Sequence, residues 1–225
     1  MRKIIITIVA ILIVIGGYLF IKDRQIKQEL SKVEESQEVQ GDTKTNAKEV
    51  ASTVTLNKTN GIWTISQTGE YTVNPASLKF TFTGYKPGGQ HVGTFNSIKS
   101  EIALDKDGIP VNVNMTIDIS SVKTDTEAVD KHLQTADFFD AVANPTITVN
   151  VKSIQMESET SAKAITDITM KGVTKTISMP VTFVKEATGT KFMIDTRVNI
   201  ADFGIAYGPV LNEVRISAEG VVSKK

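Results

Sequence analysis

The chain has no cysteine and only two histidines among 225 residues, and its 25 basic side chains are balanced by 25 acidic ones. Without cysteine there is no disulfide framework, thiolate catalysis, cysteine-ligated zinc or lipid-modified N-terminal cysteine. His91 and His132 stand far apart in sequence, so a metal site would have to be built mainly from carboxylates, and no metal-binding motif is present. A balanced charge leaves no long-range field to hold nucleic acid or to steer an ionic substrate. Proline is scarce too, at six residues, and only 6% of the chain is aromatic. No nucleophile–base pair can be picked out, so enzymatic activity is not expected.

The one long hydrophobic run is Ile4–Ile21, 18 consecutive uncharged residues. As a helix it is roughly 27 Å long, close to the thickness of a bilayer's hydrocarbon core. A cleaved signal peptide would have a shorter apolar region followed by a small-x-small site. Here the run ends in Gly16-Gly17-Tyr18-Leu19-Phe20-Ile21 and then Lys22, a poor cleavage site. The expectation is therefore a three-residue tail (1–3), a transmembrane anchor (4–21), a polar tether (22–60) and a folded domain (61–225). Flanking charges are nearly even, with Arg2 and Lys3 before the span and Lys22, Arg24 and Lys27 after it. The short tail and large domain favour a single-pass protein of the cell membrane with its domain on the extracytoplasmic side. The tether is rich in Lys, Glu, Gln, Ser and Thr, and as a flexible chain reaches roughly 35 Å.

From Tyr71 onward the apolar period is two, the signature of half-buried strands. Leu78, Phe80 and Phe82 alternate with Lys79, Thr81 and Thr83; Val111, Val113, Met115, Ile117 and Ile119 alternate with polar partners. The rhythm returns at Ile147–Val151, Ile177–Phe183, Phe192–Ile200 and Val214–Ala218, with turn signals at Pro87-Gly88-Gly89, Asp107-Gly108, Lys171-Gly172 and Thr188-Gly189. The pattern predicts an all-β, antiparallel barrel of about eight strands with one short helix, although a two-sheet sandwich gives the same alternation. Thr124-Asp125-Thr126-Glu127 has capping-box spacing, and the helix it opens carries His132 and Leu133 on one face. Asp130 reads as a surface or capping charge. Phe138 and Phe139 pin the end of that helix before Asn144-Pro145 turns into the next strand.

These residues resemble the YceI-like polyisoprenoid-binding proteins, bacterial exported proteins with a lipocalin-like barrel. The resemblance is carried, in order, by YTVNPASLKFTFTG (Tyr71–Gly84), HVGTF (His91–Phe95), SVKTDTEAVDKHLQTADFFDAVANPTITV (Ser121–Val149), ITMKGVTKTISMPVTF (Ile168–Phe183) and ADFGIAYGPVLNEVRI (Ala201–Ile216). It implies an apolar tunnel for an isoprenoid chain such as a quinone tail or a polyprenyl lipid, with no cofactor beyond that ligand. In a closed barrel the lumen wall would be Phe80, Phe82, Val113, Met115, Ile117, Val149, Phe183 and Ile194. His91, His132, Phe138, Phe139 and Asp202 are candidates for a polar mouth or helix plug. The family often has an arginine before its DFGI-like tetrapeptide; here Ala201 stands there, and Arg197 lies roughly 13 Å away along an extended strand. A charged ligand head is thus less secure than an apolar tail. The alternative is a structural or interaction module with a packed barrel and no ligand.

Overall fold

The structure is a computed structural model and describes residues 49–208 and 210–225. The Ile4–Ile21 run and most of the tether lie outside the described residues. Among the described residues no helix is long and apolar enough to cross a membrane.

Among the described residues thirteen strands form one antiparallel sheet that curls into a half-barrel. They are β1 (Ser52–Thr59), β2 (Ile62–Thr68), β3 (Tyr71–Val73), β4 (Lys79–Lys86), β5 (Gly89–Phe95), β6 (Ile98–Leu104), β7 (Pro110–Asp118), β8 (Val122–Lys123), β9 (Thr146–Met156), β10 (Ser161–Met170), β11 (Val173–Glu186), β12 (Gly189–Asn199) and β13 (Glu213–Lys224). The hydrogen-bonded order is β2-β1-β6-β7-β9-β10-β11-β12-β13-β4-β5-β8, with β3 also on β13. The expected eight strands are therefore too few. Closure is also incomplete as a ladder, because β2 and β8 end the sheet and do not pair with each other.

The tether boundary moves as well. Ser52–Thr59, read as the end of a solvated linker, is β1, and the folded domain begins there. Asn60 and Gly61 have φ of 52° and 81°, the left-handed pair of a tight hairpin turn that joins β1 to β2. β1 then pairs along β6 from Ser52↔Leu104 to Lys58↔Ile98. Its inward residues Val54 and Leu56 are buried with Val73 and Leu104, against Trp63, Ile65 and Leu78.

Alternation separates a dry concave face from a wet convex one. On β12 and β13 the outward residues make cross-strand ion pairs. Arg215 donates to both Asp195 oxygens at 2.7 and 2.5 Å, and Glu219 receives Lys79 at 2.6 Å and Lys191 at 2.8 Å. The inward residues of the same strands (Phe192, Ile194, Val198, Val214, Ile216 and Ala218) contribute to the interior. Among the described residues two polar side-chain atoms, Ser100 Oγ and Gln67 Oε1, are buried without a hydrogen-bond partner.

Candidate functional site

Among the described residues one α-helix, α1 (Glu127–Leu133), sits at one end of the half-barrel. Its cap is Thr126, whose hydroxyl accepts from the Val129 amide at 3.4 Å, rather than the Thr124 of the expected capping box. Thr124 is engaged elsewhere: its amide and hydroxyl both donate to Asp130 Oδ1, at 2.6 and 2.7 Å, while Lys123 Nζ reaches Oδ2 at 3.1 Å. Asp130 is only 4% exposed, so it is a buried organiser of the helix entry and not a surface charge. Burial alone would raise its carboxyl pKa, but the Thr124 and Lys123 hydrogen bonds outweigh that and hold it below the usual range.

The helix, the segment after it and the loop following β12 cover a cavity of about 420 Å³. Its walls are Phe80 and Phe82 from β4, Phe95 from β5, Met115 and Ile117 from β7, Ile147 and Val149 from β9, Ile168 and Met170 from β10, and Met179 from β11. Ile194 and Val198 from β12 and Val214, Ile216 and Ala218 from β13 complete it. The aromatic wall is continuous. Phe95 has ring centroids 6.4 Å from Phe80, 5.5 Å from Phe82 and 6.3 Å from Phe139.

Polar groups gather only at the end near α1. Tyr85, Lys86, His91, His132 and Tyr207 border the cavity there. His91 Nδ1 lies 2.7 Å from Asp125 Oδ1, tying β5 to the approach to α1. The His132 ring meets Phe138 and Tyr207 edge-on, with centroids at 5.0 and 4.8 Å, and its Nε2 is 3.4 Å from Asp137. Lys171 Nζ donates to the Ala136 carbonyl at 2.7 Å, binding the β10–β11 turn to the segment after the helix. Arg197 stacks over Tyr85 at 5.4 Å and pairs with Glu213 at 3.3 Å, so its charge is engaged on the outer wall.

Ten of the thirteen sequence candidates border this cavity: Phe80, Phe82, Met115, Ile117, Val149, Ile194, His91, His132, Phe138 and Phe139. Three do not. Val113 and Phe183 belong to a packed cluster with Val151, Ala162, Ala164 and Val181. They face inward as expected, but at a level where side chains fill the interior. Asp202 lies in the short turn Ile200–Phe203, where its Oδ1 accepts from Asn199 Nδ2 at 3.3 Å. The expectation misses Met179, Val214 and Ile216, although they stand in the same alternating runs, and Tyr207, which no periodic pattern marks.

Among the described residues no group of three or more His, Asp or Glu could hold a metal ion. A curled antiparallel sheet with an apolar cavity under a helix defines a binding fold whose chemistry is burial of hydrocarbon. The model of the YceI-like domain matches residues 71–222, and the chain belongs to that family, which is a binding and non-catalytic one. Protein YceI of Escherichia coli is 32% identical over 142 residues, covering 59% of this chain and 71% of its own. A UPF0312 protein of Vibrio vulnificus is 28% identical over 141 residues, covering 57% and 73%. Among solved structures, BcnA of Burkholderia cenocepacia superimposes with a TM-score of 0.60 at 20% identity, covering 68% of this chain and 100% of that one. A polyisoprenoid binding domain from Saccharophagus degradans gives 0.54 at 13% identity, covering 79% and 100%. These two show the fold alone. The β1–β2 hairpin precedes the matched residues.

Proposed function

We propose that this protein carries or sequesters an isoprenoid-type lipid, such as a quinone or a polyprenyl lipid, in the helix-capped cavity. The observation that carries the reading is the cavity itself, about 420 Å³ of space lined almost wholly by hydrocarbon. Its size is that of a small-ligand site, and its polar groups are confined to the mouth. Burying hydrocarbon contributes about 0.8 kcal/mol per CH₂, so a few five-carbon units supply most of the affinity without specific contacts. The solved polyisoprenoid binding domain of the same fold supports that ligand class.

On the same reading the domain sits beside a membrane, held by Ile4–Ile21 on the extracytoplasmic side. Such lipids partition into bilayers, and a tethered cavity would sample the surface where they reside. The test is titration of the delipidated full-length protein with a fluorescent farnesyl analogue. Saturable uptake, reversed by an unlabelled isoprenoid alcohol, is expected. Absence of saturable uptake at every chain length, with the sheet intact by circular dichroism, would sink the reading in favour of a packed interaction module.

A further inference from the structure

The cavity stops partway down the interior, and what stops it is specific. On each long strand the inward positions nearest α1 line open space, while the next ones along the strand fill it. Ile168 and Met170 of β10 line the cavity; Ala162 and Ala164 of the same strand lie in the packed cluster. Met179 of β11 lines it, whereas Val181 and Phe183 are packed. Ile194 of β12 lines it and is also packed against that cluster, beside Phe192.

Phe192 does not itself line the cavity; it packs against that cluster beside Ile194, which does. Phe192 is the register partner of Phe183 on one side and of Gly220 on the other. A Cβ at Gly220 would lie 2.6 Å from Phe192 Cζ and 2.8 Å from Leu78 Cδ2, so the missing side chain at Gly220 is the space that the Phe192 ring occupies beside Leu78. Leu78 in turn belongs to the cluster built on Val54 and Leu56 of the β1–β2 hairpin. The Phe192 ring thus connects two packed clusters below the cavity, one of which includes Val54, Leu56 and Ile65 of a hairpin that lies outside the residues matched to the family.

We infer that Phe192, seated over Gly220, is a floor that limits the bound chain to about three isoprene units; this rests on the lipid-binding reading above. The depth of the lined space sets that length: Val214 to Ala218, the lining residues of β13, span roughly 13 Å along the strand, about three extended five-carbon units end to end. Ala218, the register partner of Ile194, sits just above the floor.

The experiment uses full-length protein in lipid nanodiscs and prenyl alcohols of two to six units with a diazirine on the terminal unit. Labelled peptides are mapped by mass spectrometry, and unlabelled alcohols compete. In the native protein the three-unit probe should label Met179, Ala218 or Phe192, and three-unit alcohol should outcompete five-unit alcohol by about tenfold, since the excess units find no apolar space to enter. Phe192→Ala should let the five-unit probe label below the floor, at Val181 or Leu78, and should abolish the competition difference. Ala218→Leu, which raises the floor from the other side, should shorten the preferred chain by one unit and covers the event that Phe192→Ala misfolds. Equal competition by three- and five-unit alcohols in the native protein would overturn the length limit while leaving lipid binding standing. No saturable labelling at any length would overturn lipid binding, and the limit with it.

Discussion

The two halves of the half-barrel interior are built from the same strands and the same alternation, yet one is hollow and the other is filled. At the α1 end, large side chains such as Phe80, Phe82, Met115 and Ile216 stand around a space they do not close. At the far end Phe183 and Phe192 cross the interior, the small Ala162, Ala164 and Gly220 make room for them, and the β1–β2 hairpin adds Val54, Leu56 and Ile65. The difference teaches that residue size at each level, and not the inward-outward pattern, decides where a ligand can go. It also divides the labour. The packed half supplies stability, and the hollow half leaves hydrocarbon contacts unmade that a lipid chain can complete.

The largest contrast should come from truncating one residue in each half. Phe183→Ala in the packed half should cost about 3–5 kcal/mol, because it leaves a void among fixed neighbours. Ile216→Ala on the cavity wall should cost only about 1–2 kcal/mol, because one side of that residue already faces open space. Urea denaturation of both variants checks this, and equal losses would break the distinction between the halves.

Next in size is the cap of the hollow half. Asp130→Asn should destabilise by about 2–3 kcal/mol, since it removes the charge on which two Thr124 groups and Lys123 converge. Because the folded-state pKa of Asp130 is depressed, its contribution is complete above the unfolded carboxylate value of about 3.9 and is lost as pH falls through the folded one. Denaturation midpoints of native and variant protein should therefore draw together as pH falls from the unfolded value through the depressed folded one; a gap of undiminished size below the folded value would assign the loss to packing.

Two smaller changes should be stabilising, and both lie on the inner face of the hairpin seam. Lys58 is 8% exposed, with its ammonium 3.2 Å from the Thr94 hydroxyl and 5.7 Å from the Trp63 ring. Among the described residues no carboxylate forms an ion pair with it, and burial pushes its pKa down. Lys58→Met should raise stability by about 1 kcal/mol at neutral pH. The gain should shrink as pH rises through the depressed folded pKa of Lys58 towards the unfolded value, where the native amine loses its charge. Ser100→Ala should add up to about 1 kcal/mol by removing an unsatisfied buried hydroxyl. Thermal melts of both variants supply the readout; a loss in either would mean the seam contains polar partners that stabilise it.

Much of this is legible in the sequence, for reasons that differ by region. Strands β4, β7, β11, β12 and β13 announce themselves by strict alternation, and most of the ten candidates at the cavity reach it because alternation correctly assigns them inward. Val113 and Phe183 satisfy the same rule and still miss, since the level at which an interior fills depends on what faces each residue across it. The β1–β2 hairpin is hidden by its polar composition, although Asn60-Gly61 between Val54, Leu56 and Trp63, Ile65 is a strong hairpin signal. Asp130 reads as a surface charge because its partners, Lys123 and Thr124, precede the helix and fold back onto it, which helical spacing does not reveal. Tyr207 lies in a loop, where no period exists to read.

That the hollow half is a lipid site is tested most directly by native mass spectrometry of the full-length protein purified from its source cells. The account predicts a bound hydrophobic molecule whose fragments lose successive five-carbon units and which is absent after delipidation. Recovery of the ligand-free mass alone, from cells shown to contain isoprenoid lipids, would contradict it.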